Sequence, residues 1–170
     1  MKAQKAFKKL EAELIKTSSS VFVILSLQSN SREEAFFKIA CFAKKHRLVE
    51  NTEALYEELV QRKEKITSVS GCGIALPEAS QIKAGHSYAF ILCRLKSGIK
   101  FNSVKNPVCI IIVSLGNKES NLLRLKIMLY LARMLKTDEY RNKFLQAEIK
   151  NEVYRLLKRI VLESKKKSIF

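Results

Sequence analysis

This chain has no tryptophan, two prolines, five glycines and two histidines, and its 16 acidic residues face 32 basic ones. With so little proline and glycine there is no flexible linker to divide it, and no internal repeat is visible. No apolar run approaches the ~20 residues that a membrane-crossing helix needs. The longest are Val21–Leu27, Tyr88–Cys93 and Cys109–Val113. The lysine-bearing N-terminus has no apolar stretch followed by a small-residue cleavage site, so no signal peptide is expected. His46 and His86 lie far apart and lack acidic or cysteine companions at ligand spacing, which argues against a metal site. His46 reads more simply as a cation at a helix end. The four cysteines contain no Cys-x-x-Cys pair, and all four are expected as free thiols in a reducing cytoplasm.

At 170 residues and 47% apolar composition, the chain is one globular domain by length. The acidic deficit leaves a net charge of +16. That predicts attraction to polyanions or to an acidic protein partner, and says nothing of fold. A lysine-rich solvated surface is the simpler explanation.

Strand and helix signals alternate. Lys2–Lys16 has one apolar helical face. Val21–Leu27 reads as a buried strand. Ser31-Arg32-Glu33-Glu34 is a capping box opening a helix to about His46, with Phe36, Ile39, Ala40 and Ala43 inward. A second helix starts at Asn51-Thr52, buries Leu55 and Leu59, and ends near Arg62. Gly73–Leu76 is a short strand stopped by Pro77. Tyr88–Leu95 and Val108–Leu115 are longer strands. Ser120–Leu135 is a helix with Leu125, Met128, Leu129 and Ala132 spaced for burial. Thr137 begins a short helix, and a last one runs from about Asn151 to Leu162. The expected class is α/β, a single mixed β-sheet flanked by helices on its faces. The expected divisions are a helical extension over 1–20, the domain over 21–162 and a basic tail over 163–170.

The stretch Gly71-Cys72-Gly73-Ile74-Ala75-Leu76-Pro77-Glu78 resembles the active-site segment of enzyme IIA of the bacterial phosphoenolpyruvate-dependent sugar phosphotransferase system. The type is the fructose/mannitol class, which includes the nitrogen-regulatory proteins. That family reads roughly Gly-x-Gly-Ile-Ala-Ile-Pro-His. Further matches are Arg62, Ser68 at the family's Thr, Phe101 to Val108 as the turn before a strand, Leu131-Ala132-Arg133, and the closing Glu152–Leu157 helix. The resemblance runs from about Val21 to Leu157.

The resemblance implies that a phosphorylated carrier passes its phosphoryl group to the histidine of enzyme IIA. Here the histidine position holds Glu78, and the family's second histidine aligns with Arg124. A carboxylate with a pKa of about 4.3 would have to form a high-energy acyl phosphate. The phosphocarrier step is therefore expected to be lost and the chain to be no enzyme. A phosphoryl group carries roughly −1.5 to −2, so Glu78 would be a smaller, fixed version of that charge. Two origins stay open, a permanent mimic of the phosphorylated state and drift in a diverged relative. The charged groups of Glu78 and Arg124 are expected within ion-pair reach, about 4 Å. The site-lining set is Arg62, Ser68, Gly71, Gly73, Pro77, Glu78 and Arg124, with no cofactor.

The expected function is a cytoplasmic regulatory protein that binds another protein, either the phosphotransferase-system carrier or a regulated enzyme or transporter. One alternative is an active phosphocarrier using another residue. The other is a basic nucleic-acid-binding module, which a steep salt dependence would reveal. Cys72 reads as a small residue in a tight turn, or less simply as an exposed thiolate.

Overall fold

The structure, a computed structural model, describes residues 20–62, 65–69, 72–101 and 105–167. The helix expected over Lys2–Lys16 lies outside them. In chain order the elements are β1 (Val21–Leu27), α1 (Arg32–Lys45), α2 (Thr52–Gln61), β2 (Lys65–Val69), β3 (Cys72–Leu76), β4 (Glu78–Ala79), β5 (Tyr88–Ile99) and β6 (Val108–Gly116). A 3₁₀ turn at Lys118–Ser120 leads into α3 (Asn121–Lys136), then α4 (Asp138–Gln146) and α5 (Lys150–Lys167).

Local chemistry starts two helices as expected. The Ser31 hydroxyl accepts from the Glu34 amide at 3.1 Å, and the Asn51 side chain accepts from the Ala54 amide at 3.0 Å. Thr137 stands at the start of α4, but its side chain makes no capping bond. The last helix runs on to Lys167.

The five long strands form one mixed sheet in the order β1-β5-β6-β3-β2, and β4 pairs with β6. β1 runs parallel to β5 and β3 parallel to β6, while β5–β6 and β2–β3 are antiparallel. Both faces are covered, which explains the unbroken apolar runs. Along β5, Ile91 and Cys93 point to one core with Phe36, Ile39, Leu55 and Leu59 of α1 and α2. Phe90 and Leu92 point to the other, with Ile127, Met128, Leu131 and Phe144 of α3 and α4 and Val153 of α5.

Helix α3 is turned differently from its expected face. Arg124, Ile127, Met128, Leu131, Ala132 and Leu135 are buried, and Leu129 is 47% exposed. The leucine-rich sequence offers two overlapping apolar stripes, and only the sheet selects one. Strand β2 is not among the strands expected from the sequence. Its residues are mostly polar, and pairing with β3 makes it a strand. Phe37, off the inward face of α1, is 48% exposed and meets Tyr56 edge-on at 5.7 Å between centroids.

His46 closes α1 and lies against Phe42 at 4.2 Å and Phe22 at 5.5 Å between ring centroids. Burial, then the charges of Lys150 and Lys45, hold its pKa below the usual 6.5. The folded protein thus binds this proton more weakly than the unfolded chain. Stability from His46 is complete above about pH 6.5 and falls away as the pH drops toward the lowered folded value. Urea titrations from pH 8 to 5 should show a shallower loss for His46→Gln than for wild type. Identical slopes would show that His46 is not the group responsible.

Candidate functional site

Parallel strands β3 and β6 end side by side, and their C-terminal ends form the natural site of an open α/β sheet. Pro77 ends β3 because it has no amide hydrogen to continue the ladder. Its carbonyl accepts from the Ser114 amide at 3.0 Å. The chain then re-pairs with β6 as β4, aligning Glu78 with Ser114 and Ala79 with Leu115. Glu78 is half-buried, fixed by backbone pairing on a rigid element.

Arg124 lies in the first turn of α3 and is 4% exposed. One guanidinium nitrogen donates to the Ala79 carbonyl at 3.1 Å, the Ser114 carbonyl at 3.4 Å and the Ser114 hydroxyl at 3.5 Å. The other donates to the Asn121 side-chain oxygen at 2.6 Å. Among the described residues Nε has no partner. Arg124 therefore ties β4, β6 and the start of α3 together. Burial lowers its pKa, the charge of Glu78 opposes that, Arg62 adds to the lowering and Glu58 opposes it. Arg62, Glu78 and Arg124 thus fall in one cluster of interacting charges, joined by Glu58.

The expected ion pair does not form. No Glu78–Arg124 contact lies within 4.0 Å, and the Arg124 guanidinium instead serves backbone carbonyls and Asn121. A buried guanidinium is satisfied by several oxygens at fixed positions, and the carbonyls at the strand ends supply them. Glu78 acts on it through space.

Arg62 caps α2 and pairs with Glu58 at 2.7 Å. Glu58 also accepts from the Ser80 amide at 2.8 Å, the Ser80 hydroxyl at 2.7 Å and the Gln81 amide at 3.3 Å. It clamps the segment after β4 onto α2. A cleft of about 390 Å³ opens there, lined by Glu57, Glu58, Gln61, Arg62, Ser80 and Gln81 among others. Ser68 lies on β2 opposite Gly73. Gly71 lies outside the described residues. Gly73 packs closely on β6: an added Cβ would lie 3.1 Å from Val108 Cγ2 and 3.3 Å from the Pro107 carbonyl, so β6 would have to give slightly to admit it. Glu58, Ser114 and Asn121 escaped the sequence reading. The i,i+4 spacing of Glu58 and Arg62 on a helix was the one available signal.

Gly116 ends β6 beneath Arg124. An added Cβ would fall 2.8 Å from Arg124 Nε and 2.8 Å from the Ser120 hydroxyl. The guanidinium is held at both ends, so it cannot swing aside freely. Gly116→Ala should lower stability by about 1–3 kcal/mol in urea denaturation, and a structure of the variant should show Arg124 displaced. Unchanged stability with Arg124 in place would refute this packing.

Helix α3 also presents an outward row: Leu122, Lys126, Leu129, Arg133 and Lys136, all exposed. No acidic residue interrupts the helix from Asn121 to Lys136. Leu122 is 67% exposed and lies two residues before Arg124. No helix among the described residues is long and apolar enough to cross a membrane.

Residues 17–160 match the sequence profile described as phosphoenolpyruvate-dependent sugar phosphotransferase system, EIIA 2. No curated protein sequence matches the chain. Among solved structures, the nitrogen regulatory protein IIA-Ntr from Neisseria meningitidis is similar, with a TM-score of 0.69 at 15% identity, over 82% of this chain and 97% of that one. IIA mannitol from Escherichia coli has a TM-score of 0.62 at 16% identity, over 79% and 94%. The IIAMtl structure solved in complex with phosphorylated IIBMtl from Escherichia coli has a TM-score of 0.57 at 17% identity, over 79% and 92%. These likenesses bear out the expected fold. They also correct one expectation, that the chain is no enzyme because phosphotransfer has been lost. The matched family is a component of a phosphotransferase system. The exchange at one side chain, Glu78, is too narrow a ground for removing the whole chain from that chemistry.

Proposed function

The chain belongs to the EIIA 2 family of the phosphoenolpyruvate-dependent sugar phosphotransferase system, and on that footing we propose that it acts in the cytoplasm as a IIA-type component of such a system. Its work is to dock partner proteins on the face around Glu78, Arg124 and the outward row of α3. The observation that carries this reading is the charge cluster at the ends of β3 and β6. Glu78 stands where the family resemblance puts the phosphoryl-accepting histidine, and its charge acts on Arg124, as do those of Arg62 and Glu58. A partner that docks there meets a standing negative charge, as it would on a phosphorylated relative. Leu122 and Leu129 supply apolar anchors, and the cations between them select an acidic rim on the partner. The nitrogen-regulatory relative supports a regulatory role, and the complex with phosphorylated IIBMtl supports partners of the IIB kind.

The experiment is calorimetric titration of the full chain with a phosphotransferase carrier protein and with a IIB domain. At least one should bind, and Glu78→Gln should weaken that binding about tenfold, which is about 1.4 kcal/mol. Leu129→Gln should weaken it similarly, with helix content unchanged. Binding indifferent to both substitutions would sink the proposed face. Intact-mass analysis after exposure to the phosphorylated carrier tests the standing charge separately. A phosphoryl group mapped to the peptide around Pro77–Ser80 would make Glu78 an acceptor. A phosphoryl group elsewhere would favour the second reading that family membership supports, a phosphocarrier using a different residue.

A further inference from the structure

Four free thiols were expected, but Cys72 and Cys109 are joined as a disulfide, with their Cα atoms 5.8 Å apart. That Cα spacing is ordinary for the bond. The local ladder explains how they meet. Gly73 pairs with Val108, yet Ile74 pairs with Ile110, so β6 carries one extra residue, Cys109. Val108 packs on the α1–α2 side. Cys109 and Ile110 both pack on the α3–α5 side, together with Cys72 and Ile74. The bulge turns Cys109 onto the face that Cys72 already occupies.

The bond lies on a weak seam. Among the described residues β2 is an edge strand whose only sheet neighbour is β3. β3 in turn holds to β6 through a ladder of Gly73↔Val108, Ile74↔Ile110 and Ala75↔Ile111, interrupted by the bulge. We propose that Cys72 and Cys109 are a reversible thiol–disulfide site that fastens the β2–β3 hairpin to the sheet and exchanges with small-molecule disulfides of the glutathione class.

The two sulfurs have separate parts. Cys72 is 7% exposed, whereas Cys109 is half-buried, so Cys109 is the more accessible residue and takes the part of the attacking thiol. In oxidation the Cys109 thiolate attacks glutathione disulfide, whose S–S bond breaks and releases one glutathione thiolate. The Cys72 thiolate then attacks the mixed disulfide at Cys109 and expels the second. The two protons lost by the protein thiols end on the two glutathione thiolates. Cys93 is excluded from this chemistry, because full burial pushes its thiol far up and leaves no thiolate. Since β3 leads through Pro77 to Glu78, the state of the bond also bears on the order of the docking face. That last link rests on the proposed function; the thiol chemistry does not.

The test equilibrates the full chain in glutathione buffers of graded ratio, quenches in acid, and alkylates under denaturing conditions. Cys93 should alkylate at every ratio, the exposed Cys41 should pass singly from free thiol to a mixed disulfide with glutathione, and Cys72 and Cys109 should appear together only at the reducing end. Hydrogen exchange of the Cys72–Leu76 amides should be about tenfold faster in the reduced chain, with the α1 amides unchanged. In Cys72→Ser, glutathione should stay attached at Cys109, while Cys109→Ser should leave Cys72 unmodified. Cys72 and Cys109 alkylating at every ratio, or identical hairpin exchange in both states, would overturn the proposal. The calorimetric test reads Glu78 and Leu129 only, so either result can fail without the other.

Discussion

Replacing Arg94 by methionine will destabilise the protein by about 3–5 kcal/mol, the largest effect expected of any single charged residue described here. Arg94 sits on β5 where two ladders break. The β1–β5 register shifts between Ile24 and Leu27, and the β5–β6 register shifts between Arg94 and Ile99. The Leu25 carbonyl falls inside the first irregularity, and Arg94 Nε donates to it. The same guanidinium donates to the carbonyls of Phe144 at 3.2 Å, Leu145 at 2.6 Å and Ala147 at 2.8 Å. Those are the carbonyls at the end of α4, which a helix leaves without internal partners. A cation there also meets the negative end of the helix dipole. Methionine keeps the stem and removes every donor. Urea denaturation should show the loss at unchanged m-value. A loss below about 1 kcal/mol would mean that water replaces the guanidinium at all four carbonyls.

The second large effect is at Arg124. Arg124→Met should cost about 2–3 kcal/mol, because the carbonyl of Ala79 and the groups of Ser114 lose a buried donor. Part of the loss is offset, since removing a guanidinium with an unpartnered Nε also removes a desolvation penalty. Arg124→Lys should recover less than half, as an ammonium cannot reach Asn121 and the strand ends with one planar fork. Both variants should bind phosphotransferase partners more weakly than stability alone explains, because Arg124 shares its field with Glu78. Lysine matching arginine in both denaturation and binding would show that charge, and not the fork, is what this position needs.

Much of the fold was legible because its signals are local. Ser31 and Asn51 announce their helices through side chains that reach an amide three residues on. Pro77 stops β3 by chemistry that needs no partner. The apolar runs of β5 and β6 reveal strands buried on both faces. The family resemblance stood on the same short-range residues, and through it Glu78 and Arg124 were singled out.

What failed depended on groups distant in sequence. β2 is polar and becomes a strand only because β3 offers a ladder. α3 carries two apolar stripes, and the shape of the sheet decides which is buried, leaving Leu129 outside. Glu58 joins the site because the segment after β4 folds back on α2, twenty-two residues away in the chain. By itself the sequence determined the helices, the long strands and the covered sheet, since each follows from periodicity, caps and breakers within a few residues, and the resemblance of the Gly71–Glu78 segment pointed to the family. The tertiary structure alone decided that Arg124 serves carbonyls rather than Glu78, and that Cys72 meets Cys109. Hydrogen-bond and disulfide partners are set by distances of a few ångströms, and a one-residue bulge in β6 is enough to change them.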